Sequence, residues 1–552
     1  MNALSPSPSI QTGFSPSRAA IGALLGLTQG FGLYLVSNNL GAIQGSLGAT
    51  AAEASWLTTA YFATALWASL LITKIRLQVG LRIFTVASLW LFLGVAVLHQ
   101  LADNLGSALA VRAALGLAAA PLSTLAIYYM LEALPPRWAP VALLAGFTFL
   151  QLPGPLSRVL APDLLVSGRW QGLFLLDVAL ALLSLAAIHA VPLKPQPRQP
   201  VFGRGDLLSV PLYAVGLVLL CVVVSQGRLA WWADAPWLGA CLAGAIACLG
   251  LYVLVDLNRV SPLLDLRWLT QPYMLRFVAG VLLFRIVLSE QNVGVVGLMS
   301  ALGQTNEQMQ LLFALVSVGL VAGFALAPVI AARCGTPWLS VLAAALVVVA
   351  AVMDSEASAL SRPEQFHLSQ GLMAVALGLF FSASLLLGFG PVMAEGGQHL
   401  VSLLAAFSGA QLMGSLFGSA WASTFVAQRQ TWHVHALTEQ MATGNPLLAQ
   451  QVAHVSGWAG QLTGDPVSRA QQGLALLLQQ ITRESTVLAY NDLFQRMALL
   501  AAAMTLWLTV LAWRAHRRRV HDSGTSPSSP ASPPASPPAS GASTASASPR
   551  SV

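Results

Sequence analysis

Residues 74–104 read KIRLQVGLRIFTVASLWLFLGVAVLHQLADN. The stretch opens with Lys74, Arg76 and Arg82, continues through 83–101 without an Asp, Glu, Lys or Arg, and ends at Asp103 with no basic residue nearby. An apolar run of about 20 residues is long enough to cross a bilayer as a helix. Short connections rich in Lys and Arg stay on the cytoplasmic side. The stretch therefore reads as one crossing, basic end inside.

The same alternation extends in both directions. Basic gaps hold Arg137, then Lys194, Arg198 and Arg204, then Arg259, Arg267 and Arg276, then Arg333, and finally Arg514, Arg517, Arg518 and Arg519. Fourteen spans follow, over 19–43, 55–75, 82–101, 105–131, 139–160, 170–191, 207–226, 236–257, 274–300, 309–331, 337–354, 367–390, 400–427 and 494–514. With the N-terminus inside, 16 of the 27 basic residues fall at cytoplasmic positions, and short outside gaps hold only Arg169, Arg228 and Arg362. Arg429, Arg469, Arg483 and Arg496 lie in or beside one long outside loop, a class exempt from the rule. A thirteen-span reading would put the Arg514–Arg519 cluster outside. Three arginines remain inside spans: Arg112, Arg158 and Arg285.

Composition agrees. The 552-residue chain is 56% hydrophobic and 9% charged, whereas soluble domains carry about 25% charge. The net charge of +7 sits at segment ends rather than on one face, which argues for the anionic inner leaflet as counter-charge and against nucleic acid. Cys221, Cys241, Cys248 and Cys334 lie in or beside apolar segments, so no disulfide framework is expected. The first apolar segment follows Arg18 and reads as an uncleaved anchor.

The expected organisation is a cytoplasmic N-terminus (1–18), a six-helix bundle (19–191), a basic Pro-rich cytoplasmic connector (192–206), two further spans (207–257) and a second six-helix bundle (274–514). The second bundle carries an outside loop, 428–493, in which 446–455 and 467–482 suit surface helices. A Ser/Pro/Ala tail (520–552) cannot bury a core.

Five motifs in order give the chain a resemblance. They are 55–61 (SWLTTAY), 112–121 (RAALGLAAAP), Pro135-Pro136-Arg137, 170–177 (WQGLFLLD) and 488–494 (LAYNDLF). Over roughly 20–515 the chain resembles the major facilitator superfamily, specifically its fourteen-span drug:proton antiporters of the EmrB type. The resemblance implies two six-helix bundles plus two extra central helices, secondary active transport by alternating access, and proton-coupled efflux of small amphipathic or aromatic compounds. It also implies a bacterial inner-membrane location with both termini cytoplasmic, and a possible periplasmic adaptor and outer-membrane channel as partners. Three stretches depart from the family. Gly32 stands in 31–43 (FGLYLVSNNLGAI) where the family carries an Asp; 73–82 (TKIRLQVGLR) lacks an acid; and the Gly-Pro run of the fifth helix survives only as 152–162 (LPGPLSRVLAP).

Charges within spans are costly and usually face the bundle interior, so they are the candidate residues. Arg112 is the motif arginine; its alternative role is a hydrogen-bond hub on carbonyls of the first span. Glu290 is the leading protonation candidate, with the alternative of a carboxylate locked to Arg158 or Arg112. Arg285 sits near the midplane with Asn292 on its face. Gln29, Asn38 and Asn39 line the first span, either binding a polar substrate or joining helices. Arg158 could attract an anionic substrate or reach the outer interface. Asp177 and Glu132 are placed toward the inner half or end of their helices, and Glu395 reads as structural. Gly414 and Gly418 form a small-residue pair for close helix contact. His433 and His435 have no evident Cys or acid to complete a metal set. There is no GxxxxGK[ST] loop and no arguable Ser-His-Asp set, so neither an enzyme, a metal site nor a cofactor is expected. The alternatives to drug efflux are an organic-anion or metabolite transporter, and a transporter-like sensor or assembly partner.

Overall fold

The computed structural model describes residues 13–165, 170–194, 198, 201–259, 264–394, 399–442 and 466–524. Glu395, Arg169, His454, the stretch 446–455 and the tail beyond 524 lie outside the described residues. Among the described residues the chain is all-α. Its helices are α1 (Pro16–Ser37), α2 (Leu40–Leu47), α3 (Ala51–Val79), α4 (Leu81–His99), α5 (Leu105–Ala133), α6 (Ala139–Gln151) and α7 (Pro153–Leu164). There follow α8 (Gly172–Ala190), α9 (Asp206–Gln226), α10 (Pro236–Leu257), α11 (Leu266–Leu269), α12 (Pro272–Val287) and α13 (Val296–Ala301). The last five are α14 (Gln310–Cys334), α15 (Thr336–Asp354), α16 (His367–Ala394), α17 (Leu400–Ala442) and α18 (Pro466–Gly524).

Thirteen helical segments among the described residues are long and apolar enough to cross a membrane. α3 is also long enough, at 29 residues, but Thr58, Thr59, Tyr61, Thr64 and Ser69 dilute its apolar content. Each of the fourteen expected spans thus coincides with helix. Their outer faces carry large exposed apolar side chains such as Trp90, Leu183, Ile246, Leu254 and Leu506. In water such a surface would aggregate; in lipid it is solvated.

Three spans are less regular than periodicity suggests. The first ends at Ser37, not 43, because two asparagines take over backbone partners: Asn39 Nδ2 donates to the Leu35 carbonyl at 2.8 Å and Asn38 Nδ2 to the Gly154 carbonyl at 2.8 Å. The fifth breaks between α6 and α7, where Pro153 supplies no N–H. The ninth is α12 and α13 joined by a π-helical segment, Glu290–Val295. Single π turns inside helices concentrate at functional sites.

The predicted outside loop 428–493 needs the largest correction. α17 is one helix of 43 residues and α18 one of 59, so 428–442 and 466–493 are helical continuations of spans. Polar side chains on this pair satisfy one another: Arg429 Nε donates to Asp492 Oδ2 at 2.6 Å and Gln430 Nε2 to Thr486 Oγ1 at 2.8 Å.

α1 packs on α5, α6 and α8, and α3 on α5; α14 packs on α16, α15 on α16 and α18, and α12 on α17. α9 and α10 form a pair, and α9 rests on α3 and α17. At the basic end Asp206 Oδ1, on α9, accepts from Lys74 of α3 at 2.9 Å and lies 2.9 Å from Arg259, just beyond α10. The turns α3–α4 and α14–α15 match: Gly80 has φ 91°, ψ 146° and Gly335 φ 88°, ψ 149°. Such positive φ suits glycine. The two groups of helices thus repeat one turn at corresponding places.

Candidate functional site

Between the two groups lies a cavity of about 590 Å³, walled by α3, α5 and α6 on one side and α16 and α17 on the other. Its walls are largely apolar, with Phe147 and Phe389 facing in from opposite groups. It extends to Pro136 and Gly390, the basic end of the molecule, where the Arg76 guanidinium lies 4.7 Å from the centroid of the Tyr128 ring.

The far end of the interface is closed by hydrogen bonds between the groups. Asn306, preceding α14, donates through Nδ2 to Asn39 Oδ1 at 2.7 Å. Gln310 Nε2 donates to the Val159 carbonyl at 3.0 Å, and Arg158 Nη1 reaches Asn306 Oδ1 at 3.5 Å. Beneath this closure a smaller cavity of about 80 Å³ is lined by Arg158 of α7 and Arg285 of α12, together with Asn38, Gln151, Gln291 and Asn292. Arg285 and Asn292 both line it.

Arg112 is fully buried on α5. Its Nη1 donates to the Gly32 carbonyl at 2.8 Å, its Nε to the Leu57 carbonyl at 3.5 Å, and its guanidinium lies 4.7 Å from the Tyr61 ring centroid. It ties one carbonyl of α1 to one of α3. Asp177 lies near the start of α8, within electrostatic reach of Arg112 and Tyr61, rather than deep toward the helix's other end. Neither of its oxygens accepts a hydrogen bond.

Glu290 opens the π segment and is fully buried. It is not locked to Arg158 or Arg112. Gln370 of α16 donates through Nε2 to Asp354 Oδ2 at 2.7 Å and to Glu290 Oε1 at 3.4 Å, so both carboxyls face one amide. A single neutral amide thus holds two buried carboxyls side by side.

Sequence reasoning missed Asp354, Gln370 and Asn306. Asp354 and Gln370 sit at adjoining span ends, and polar residues at span ends are unremarkable in a sequence. An acid does reach His433: Asp492 Oδ2 lies 2.8 Å from its Nε2, but Arg429 already engages the same oxygen. Among the described residues no group of His, Cys, Asp and Glu is arranged to hold a metal.

No protein-family model matches the chain, and no curated protein matches it in sequence. Solved structures do match in fold. A bacterial homologue of the human drug peptide transporters PepT1 and PepT2 aligns over 92% of this chain and 99% of its own, at 13% identity and TM-score 0.55. A bacterial homologue of the human lysosomal transporter Spinster, in an inward-facing and unoccupied conformation, aligns over 90% and 98% at 14% identity and TM-score 0.50. Tetrameric PepTSo2 aligns over 91% and 99% at 16% identity and TM-score 0.50. The chain has the polytopic, all-α membrane fold of the major facilitator transporters.

Proposed function

We propose that this chain is a secondary transporter working by alternating access, exchanging protons for small amphipathic or aromatic compounds carried out of the cell. One observation carries the reading: a cavity between two helix groups, continuous with the basic end and sealed at the other by side-chain bonds between the groups. That is the arrangement of an inward-facing carrier, in which rocking of one group against the other exposes the site alternately. With the basic end cytoplasmic, the cavity opens to the cytoplasm. The protonatable Glu290–Asp354 pair supports proton coupling, and the apolar, aromatic walls support an amphipathic cargo.

The protein then belongs in the inner membrane of a bacterium with both termini inside. The helical extensions of α17 and α18 stand on the periplasmic side, where an adaptor leading to an outer-membrane channel would dock.

The test is reconstitution into liposomes with an imposed pH gradient and a panel of fluorescent aromatic amphipaths. Gradient-dependent movement of at least one supports the reading. Movement indifferent to the gradient removes proton coupling, and no movement or exchange of any compound removes transport.

A further inference from the structure

The charges lining the interface are all of one sign. Arg158 and Arg285 face the smaller cavity from opposite helix groups, Arg76 lines the larger one, and no Asp or Glu lines either. The two cavities adjoin: Leu150 and Gln151 are successive residues of α6, one in each lining, and α16 runs along both. The buried carboxyls lie elsewhere, Asp177 beside Arg112 and Glu290 against Asp354.

Neither Arg158 nor Arg285 has a carboxylate partner among the described residues. Arg158 is 8% exposed, and its contacts are the Asn38 carbonyl at 3.1 Å, Asn38 Oδ1 at 3.3 Å, Asn306 Oδ1 and the Phe313 ring, 5.1 Å away. Arg285 shares the cavity lining with Tyr34 and lies 6.0 Å from the centroid of Phe381. The Nε–H of each is buried and unbonded. A buried cation held only by neutral groups is costly, and an anion placed between two such cations recovers that cost through charge-assisted bonds.

We propose that Arg158 and Arg285 form a two-sided clamp for the anionic head of the cargo, so that the transported class is aromatic carboxylates whose rings lie in the larger cavity. This rests on the transport reading above and narrows its substrate. A guanidinium presents paired donors that match a carboxylate, and the two guanidiniums come from opposite groups, so a bound anion bridges them. Arg158 also contacts Asn306 in the closure. An anion that draws its guanidinium inward competes with that contact, which loosens the seal when cargo is present. A cationic amphipath finds no counter-charge here and meets two arginines instead.

Binding to the purified full-length protein in nanodiscs would test this with three ligands sharing one ring system: 2-naphthoate, 2-naphthamide and 2-naphthylmethylammonium. Naphthoate should bind at least tenfold more tightly than the other two. Arg158→Gln and Arg285→Gln should each erase that preference while leaving naphthamide affinity unchanged. Asn292→Asp keeps both arginines and places a carboxylate in the same cavity; it should also erase the preference. Equal binding of the three ligands, preference for the ammonium, or an undiminished naphthoate preference in Asn292→Asp would overturn the proposal. So would an equal loss of all three ligands in the arginine variants, which marks a structural role. The two readings fail separately. Proton-driven movement of the ammonium without naphthoate binding sinks the clamp alone. Arginine-dependent naphthoate binding without any flux sinks transport alone.

Discussion

The Arg112 guanidinium donates to the carbonyl oxygen of Gly32 at 2.8 Å. Gly32 is the position at which the resembled antiporters carry an acid, and here the Phe92 ring occupies the space beside it. Asp177 of α8 lies within electrostatic reach of Arg112, but its oxygens accept no bond and Arg112 Nη2 stays unbonded. The arginine is anchored on backbone carbonyls, and an acid within its electrostatic reach comes from α8.

Arg112→Met should therefore be destabilising as well as inactivating. It strips two backbone carbonyls of a charged donor in a dry interior, at about 1–3 kcal/mol. Thermal unfolding of the solubilised protein measures this. Asp177→Asn, which keeps size and removes only charge, should leave the midpoint nearly unchanged and slow transport. A fully active Asp177→Asn would exclude the carboxyl from the cycle.

Glu290→Gln removes the titratable carboxyl while preserving shape and the contact with Gln370. Gradient-driven transport should fall to background, whereas exchange of labelled for unlabelled cargo without a gradient should persist. Loss of both in a well-folded variant would show that Glu290 builds the site instead of coupling it.

Gly414 and Gly418 bring α17 against α12. A Cβ at 414 would stand 2.7 Å from Arg285 Cβ, and one at 418 would stand 2.8 Å from Ile286 Cα. Gly414→Val should push α12 away and displace Arg285. Transport should be lost, with folded protein still recovered by gel filtration; wild-type rates would mean the contact is slack.

The closure across Asn39 and Asn306 offers a direct handle. With the four native cysteines replaced, Asn39→Cys with Asn306→Cys should be bridged by a short bifunctional thiol reagent. Transport should stop on bridging and return on reduction. Transport that continues through a bridged pair would show that this end need not open.

How much of this was legible follows the kind of force involved. Span positions were readable because bilayer insertion depends on local apolarity, which sequence states outright; 236–257 coincides with α10 to the residue. The breaks at Asn38-Asn39 and at Glu290 were not, because each depends on partners far along the chain: Gly154 for one, Asp354 and Gln370 for the other. The misread outside loop has the same origin. Residues 467–482 were expected to be helical and are; that 428–442 and 466–493 continue the spans as two paired helices was not legible. Arg158 and Arg285 could be named from the sequence as anomalies, but their convergence on one cavity could not.

α17 and α18 run roughly 65 and 90 Å at 1.5 Å per residue, against a hydrocarbon layer about 30 Å thick. Beyond that layer they are pinned together through Arg429, His433 and Asp492, while within it α17 pivots on α12 at Gly414. A rigid rod pivoted about a third of the way along its length is a lever. A small tilt at the glycines becomes a larger swing at the projecting tip, so each turnover at the buried cavity would be broadcast as motion at the protein's outer extremity.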